Sequence, residues 1–248
     1  MSLTILLILE LEQKLKYPNS PSSNLDTARA IAQLIHIKGG RALIVGGFVR
    51  DTLLGIDSDD IDIEVFGIDP SNLEDLLDQT FKVNKVGKSF GVYKVKGHSI
   101  DIALPRTETK KGKGHKGFDI KSDPNLDYKN AAARRDFTIN AISWDPLTEE
   151  IIDPYNGQDD LSSRTLRHTS EQFKEDPLRV LRAMQFIARF NLTPTPETIE
   201  TCRSITIEEL APERIFDEWK KLIVKGKNIS DGLNFLKETD WIKYFPEL

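Results

Sequence analysis

The 248-residue chain has a single cysteine, Cys202. No internal disulfide can form, which excludes a disulfide scaffold and a cysteine-based zinc cluster. Long apolar runs are missing too. The longest is Ile5–Ile8 with its flanking leucines, and Glu10 and Glu12 break the pattern just beyond it. That stretch is too short to span a bilayer, and no basic residues precede it as they would a secretion signal. The four histidines (His36, His98, His115 and His168) show no metal-ligand spacing and are expected to be structural or solvated. Positive charge is not in excess: 34 Lys and Arg against 39 Asp and Glu leave a net −5. A protein that binds nucleic acid by bulk basicity is thereby excluded. Internal repeats and low-complexity tracts are absent. With 39% hydrophobic and 29% charged residues, the chain reads as globular, cytoplasmic and free of membrane partners, with one or two domains.

The average charge hides an asymmetry. Between Asp51 and Asp78 lie ten acids and no Lys or Arg, whereas Arg106 to Asp136 holds nine bases against five acids. Such segregation suits a cation-holding site beside a phosphate-holding one, although two solvated surfaces would give the same pattern. Residues 1–17 predict a helix and Pro18–Ser23 a linker. Asn24 is placed to cap a helix through Ala28, Ile31, Ala32 and Ile35, ended by Gly39 and Gly40. Arg41–Val45, Ile61–Phe66, Phe81–Val86, Val92–Val95 and Ser99–Ala103 read as strands. Phe48–Leu54 and Leu73–Leu77 read as helices. Pro105–Asn130 is expected to be a long Lys- and Gly-rich polar loop, a length that usually carries function. From Gln172 onward the pattern is helical. The division expected is an N-terminal helix and linker over 1–23, an α+β unit over 24–148 and a helical unit over 149–248.

Two constellations carry chemistry. Gly46-Gly47-Phe48-Val49-Arg50-Asp51 sits between a strand and a helix. There, glycines let backbone approach an anion and Arg50 adds a fixed charge. Alone it is only a turn. Asp60-Ile61-Asp62 follows on the next strand, where alternation sends both carboxylates to one face. Like charges so close require compensation. Mg²⁺, which takes carboxylate oxygens and shares its shell with phosphate, is the natural one. Asp101, between Ile100 and Ile102, offers a third carboxylate.

GGFVRD followed by DID resembles the metal-binding signature of the DNA polymerase β nucleotidyltransferase superfamily. Three further stretches narrow the resemblance to the class II tRNA nucleotidyltransferase and bacterial poly(A) polymerase family: RRDFTINA from Arg134, DPYNG from Asp153, and EDPLRVLRA from Glu175. It runs from about residue 41 to 248, in the family's order. It implies an α+β head with a small mixed sheet flanked by helices, then an all-helical neck that binds the nucleotide base. The implied reaction is template-independent addition of CMP and AMP from CTP and ATP to the tRNA 3′ end (CCA addition), releasing pyrophosphate by a two-metal mechanism. By the same resemblance, Asp60 and Asp62 hold Mg²⁺; Asp101, from its place on a later strand, is the candidate for a further catalytic carboxylate. Gly46, Gly47 and Arg50, with Arg135 and Arg182, lie on the phosphates. Asp176 and Arg179, three apart on a helix, face the base.

Each of these residues also has a plain reading. Arg134 and Arg135 suit a surface pair, Asp136 a helix cap, and Thr138–Ala141 a core segment. Val180, Met184 and Ile187 are core by spacing, and the arginines opposite suit a solvated face. Gln185 stands where many family members carry arginine. A neutral amide cannot replace a phosphate-directed charge, so either weaker nucleotide affinity or a contact supplied elsewhere is expected. The chain ends at Leu248, where relatives continue into a helical body and tail or a histidine-aspartate hydrolase domain, so neither region nor hydrolase activity is expected. Poly(A) polymerase, CC-only and A-only activities, and a non-catalytic RNA- or nucleotide-binding fragment, stay open as alternatives.

Overall fold

The computed structural model describes residues 23–86, 91–110, 118–208 and 210–246. The helix expected over 1–17, most of the linker after it and the centre of the lysine-rich segment lie outside the described residues. Chain compactness divides the protein into two units. The first comprises the chain up to Thr107 with Ile120–Ala131 and Ile142–Ile152; the second comprises Glu108–Asp119, Ala132–Ala141 and Asp153–Leu248. In place of a single cut near residue 148, the stretch 132–141 counts with the second unit.

The first unit opens with α1 (Asn24–Ile37). Ser23, one residue before the expected cap, holds it through a reciprocal capping box with Asp26, satisfying two otherwise orphaned donors. Seven strands form one sheet in the order β3-β4-β5-β2-β1-β8-β9. They are β1 (Arg41–Val45), β2 (Ile61–Phe66), β3 (Val83–Val86), β4 (Val92–Val95), β5 (Ile100–Ala103), β8 (Ser143–Trp144) and β9 (Ile151–Ile152). Neighbours run antiparallel except β2 and β5, which are parallel. The sheet is therefore mixed.

Alternation gives the sheet two unlike faces. Ala42, Ile44, Ile61, Ile63, Val65, Ile100 and Ile102 form a core with Ala28, Ile31 and Ile35 of α1 and with Leu73, Leu76 and Leu77 of α3 (Pro70–Thr80). The opposite face carries Asp62, Glu64 and Asp101, and a smaller cluster of Leu43, Val45, Phe66 and Ala131 covers one side of it. Between β1 and β2 lies the short helix α2 (Gly47–Leu53). Arg41 fastens β1 to the β8–β9 connection by hydrogen bonds to Asp145 (2.8 Å) and Glu150.

The expected loop over 105–130 is partly ordered. Arg106–Lys110 (β6) and Phe118–Ser122 (β7) make a two-stranded sheet, and α4 spans Tyr128–Ala133. RTETK contains no apolar residue, so the alternation that betrays a half-buried strand is missing from its sequence.

Beyond the parts of β6 and β7 that count with it, the second unit's regular structure is mainly helical among the described residues, with a two-residue parallel pairing of β10 (Thr165–Leu166) with β11 (Thr193–Pro194) and a bridge between Phe137 and His168. Its helices are α5 (Gly157–Ser162), α6 (Leu178–Phe190), α7 (Pro196–Arg203), α8 (Pro212–Lys225) and α9 (Ile229–Glu238). α6 packs against α8 and α9, burying Val180, Met184 and Ile187 as their spacing predicts. Phe137, Phe173 and Phe186 meet edge to face beneath it. Among the described residues, no helix is long and apolar enough to cross a membrane.

Candidate active site

In the first unit, register brings the carboxylates together. Asp62 on β2 is the direct partner of Asp101 on the parallel strand β5, so their side chains stand adjacent on one face. Asp60 immediately precedes β2 and is exposed, as is Asp62, while Ile61 between them is buried. On the other flank Asp62 pairs with Val45, the last residue of β1. Gly46 and Gly47 follow directly, so the glycine turn leaves the sheet beside Asp62.

Gly46 has φ 75° and ψ −130°, a conformation open only to glycine. Gly47 is different. A Cβ there would meet nothing nearer than Arg50 Nη2, at 3.5 Å, so the fold leaves room at this position. Arg50 lies beneath the turn. It is 4% exposed and clasps Asp51 Oδ1 through Nε (2.8 Å) and Nη2 (2.7 Å). The guanidinium expected to reach out to phosphate is thus a buried charge backing the glycine turn.

The carboxylates are not alone. Lys94 on β4 places Nζ 2.8 Å from Asp101 Oδ1 and 2.5 Å from Oδ2. Its hydrogen bond to Asp101, aided by the fields of Asp101, Asp60 and Asp62, holds the lysine pKa above its ordinary value despite some burial. Among the described residues, no group of three or more His, Cys, Asp or Glu converges closely enough to cage a metal. The carboxylates of Asp60, Asp62 and Asp101 offer an all-oxygen donor set, the chemistry that a hard divalent cation takes.

In the second unit the RRDFTINA segment and α6 share a polar network. Asp136 is buried and fully used. Oδ1 accepts from the Phe137 amide (2.9 Å) and Asn140 Nδ2 (2.8 Å), and Oδ2 accepts from Arg182 Nε (2.7 Å). Arg182 also lies over the Phe186 ring. Arg179 donates to the carbonyls of Gln172 (2.8 Å) and Arg134 (2.6 Å) and lies near the Phe173 ring. Arg135 is half-buried.

Asp176 corrects an expectation. It is not helical: φ −125° and ψ 101° place it in extended backbone, because Pro177 disfavours helical geometry in the residue before it. Its Oδ1 accepts from the Leu178 amide (3.1 Å), and its Oδ2 pairs with Arg214 of α8 (2.8 Å).

Sequence reasoning passed over Lys94 and Arg214. A lysine at an exposed position of the apolar strand VYKV was a local signal for the first; Arg214 lies 38 residues from its partner, and no local pattern reports such a contact. DPYNG proves to be a cap, since Asp153 accepts from the amides of Gly157 (2.7 Å) and Gln158 (2.9 Å) at the start of α5. His168 is structural, with Nδ1 3.0 Å from Thr198 Oγ1, and His98 contacts Asn24. Gln185 is buried at 2%.

A mixed sheet with paired carboxylates beside a glycine turn, followed by a helical unit, defines a nucleotidyltransferase head and neck. The model of the poly(A) polymerase head domain matches residues 42–167, and that of a probable RNA and SrmB- binding site of polymerase A matches 191–248. The chain belongs to this family, that of the bacterial CCA-adding and poly(A) polymerase nucleotidyltransferases. It is 43% identical over 189 residues to the Multifunctional CCA protein of Xylella fastidiosa strain 9a5c, covering 73% of this chain and 44% of that protein. It is 41% identical over 213 residues to the protein of that name from Xanthomonas oryzae pv. oryzae, covering 83% and 50%. Similar solved structures include the Thermotoga maritima CCA-adding enzyme complexed with tRNA (TM-score 0.72, 27% identity, 94% of this chain and 55% of that one). The Bacillus stearothermophilus CCA-adding enzyme in complex with CTP is another (TM-score 0.72, 27% identity, 87% and 52%). The chain spans about half the length of the curated relatives it matches.

Proposed function

We propose that this chain adds CMP and AMP from CTP and ATP to the 3′ end of tRNA without a template, releasing pyrophosphate, and that it works in the cytoplasm. The observation that carries the reading is the register pair Asp62–Asp101 standing beside the Gly46–Gly47 turn, in a chain this similar to proteins named for CCA.

In this reading Asp60 and Asp62 hold Mg²⁺, and Asp101 completes the acidic edge. A divalent cation held by Asp60 and Asp62 would supply activation of the attacking 3′-hydroxyl and stabilisation of the leaving pyrophosphate. Gly46 and Gly47 let the triphosphate approach backbone, and the buried Arg50 supports that anion from below. In the second unit Arg135 and Arg182 are the further candidates for phosphate binding, Arg182 being held in place by Asp136. Asp176 and Arg179 read the base. Cytosine and adenine each present an amine donor beside a ring-nitrogen acceptor, whereas guanine and uracil present a carbonyl acceptor beside an N–H donor. Ionised Asp only accepts and Arg only donates, so the pair suits C and A. Their present hydrogen bonds fix both groups before a nucleotide arrives, which lowers the ordering cost of binding.

The test supplies tRNA ending before CCA, labelled CTP or ATP, and Mg²⁺. Ordered addition of C, C and A is expected, with a loss of about 10³-fold or more in Asp60→Ala or Asp62→Ala. Runs of A alone would make the chain a poly(A) polymerase; C alone or a single A would make it a partial adding enzyme. No incorporation by the folded chain would leave a binding fragment. Asp176→Ala and Arg179→Ala should admit UTP and GTP, and unchanged selectivity in both would remove the base-reading role.

A further inference from the structure

The sheet face that bears the acidic edge already holds a cation of its own. Lys94 is the register partner of Asp101 on β5, and Asp62 stands next to Asp101 on the opposite side. The lysine ammonium straddles both oxygens of Asp101, at 2.8 and 2.5 Å, and it feels Asp60 and Asp62 as well. A carboxylate embraced in this way has both oxygens occupied. A second cation drawn to the cluster would meet a like charge at contact range, where repulsion is strong even in a largely solvated setting. Each oxygen keeps a second lone pair, so the two cations compete for Asp101 through their charge.

We infer that Lys94 is the resident counter-ion of the Asp60, Asp62 and Asp101 cluster and exchanges with the divalent cation, leaving Asp101 as the cation binds and so setting the affinity of the site. The inference rests on the reading of these carboxylates as the cation site. The lysine is built for exchange. Its side chain is 51% exposed, and a flexible four-carbon stem ending in a readily hydrated ammonium can swing into water at small cost. Neighbouring carboxylates repel without a cation, and the exchange keeps them compensated in both states. Lys94 is thus a positioning residue that sets cation affinity without touching the reacting groups.

The probe is Mn²⁺, titrated into the full chain and followed by the electron paramagnetic resonance of the free ion. Wild type, Lys94→Met, Lys94→Arg and Asp62→Asn are compared. Lys94→Met should bind Mn²⁺ about tenfold more tightly, since one competing charge is removed from a half-exposed cluster. Lys94→Arg, which keeps the charge, should stay near wild type. In chelator, Lys94→Met should melt lower than wild type and recover when Mn²⁺ saturates, because the cation replaces the missing ammonium. Equal affinity in wild type and Lys94→Met, with binding lost in Asp62→Asn, would overturn the exchange and leave the cation site standing. Binding that ignores Asp62→Asn would overturn both.

Discussion

Asp136 shows how much of the second unit's order depends on one carboxylate. Burial alone would raise its pKa. The Arg182 charge, with hydrogen bonds from Asn140 and Arg182, more than reverses that and holds it below the ordinary 3.8. A carboxyl depressed on folding stabilises the native state above its unfolded pKa and loses that contribution as acid protonates it, so the loss falls below about pH 4. Asp136→Asn leaves Arg182 without its counter-charge. Breaking a buried pair costs about 3–5 kcal/mol, and the lower end applies because 32% of the Arg182 side chain still meets water. The expected result in urea denaturation is a loss of about 3 kcal/mol at pH 7, together with a shallower decline between pH 4 and pH 2. If the acid limb kept its wild-type slope, another carboxylate would be responsible for it.

At the scale of elements, the glycine turn separates two requirements that the motif GG merges. Gly46→Ala forces an L residue into a glycine-only conformation, at a cost of about 1–3 kcal/mol. Gly47→Ala meets only an ordinary contact at 3.5 Å, so its melting temperature should match wild type within a degree or two while CTP affinity falls. Calorimetry of both variants, with and without CTP, separates fold from ligand; unchanged affinity in Gly47→Ala would take the triphosphate away from this turn. The strands Arg41–Val45 and Ile61–Phe66 and the core of α6 were legible, because each is written in a local period. The contact of Asp62 with Asp101 was not, since register between strands 39 residues apart depends on the whole sheet. Lys94 on Asp101, seven residues away across an antiparallel pair, was legible and went unread. The extended backbone of Asp176 was legible and went unread: Pro177 announces it. The pairing of RTETK with FDIKS was half legible, through Phe118 and Ile120 alone.

For the molecule as a whole, a net charge of −5 opposes approach to RNA, so under the proposed function attraction to tRNA comes from local bases. The segment from Lys110 to Lys129 concentrates them, with Lys111, Lys113 and Lys116 outside the described residues. Replacing Lys110, Lys111, Lys113, Lys116 and Lys121 by Gln should weaken tRNA binding. It should also flatten the dependence of affinity on salt by about one unit of slope for each phosphate no longer neutralised. An unaltered slope in a filter-binding series would make the segment a bystander. The order of strands in the large sheet also bears on how the protein is made. β1 finds its neighbour β8 about a hundred residues later, Ile44 opposite Trp144, with Arg41 closing on Asp145 and Glu150. On the ribosome, the apolar RALIV strand therefore waits with one backbone edge unpaired until residue 144 has emerged. Non-local closure is slow, and an open strand edge invites pairing with another chain. The interval before the sheet closes is when this edge is open to other chains, and slower synthesis at lower temperature should favour the folded product by thinning the population of half-made chains.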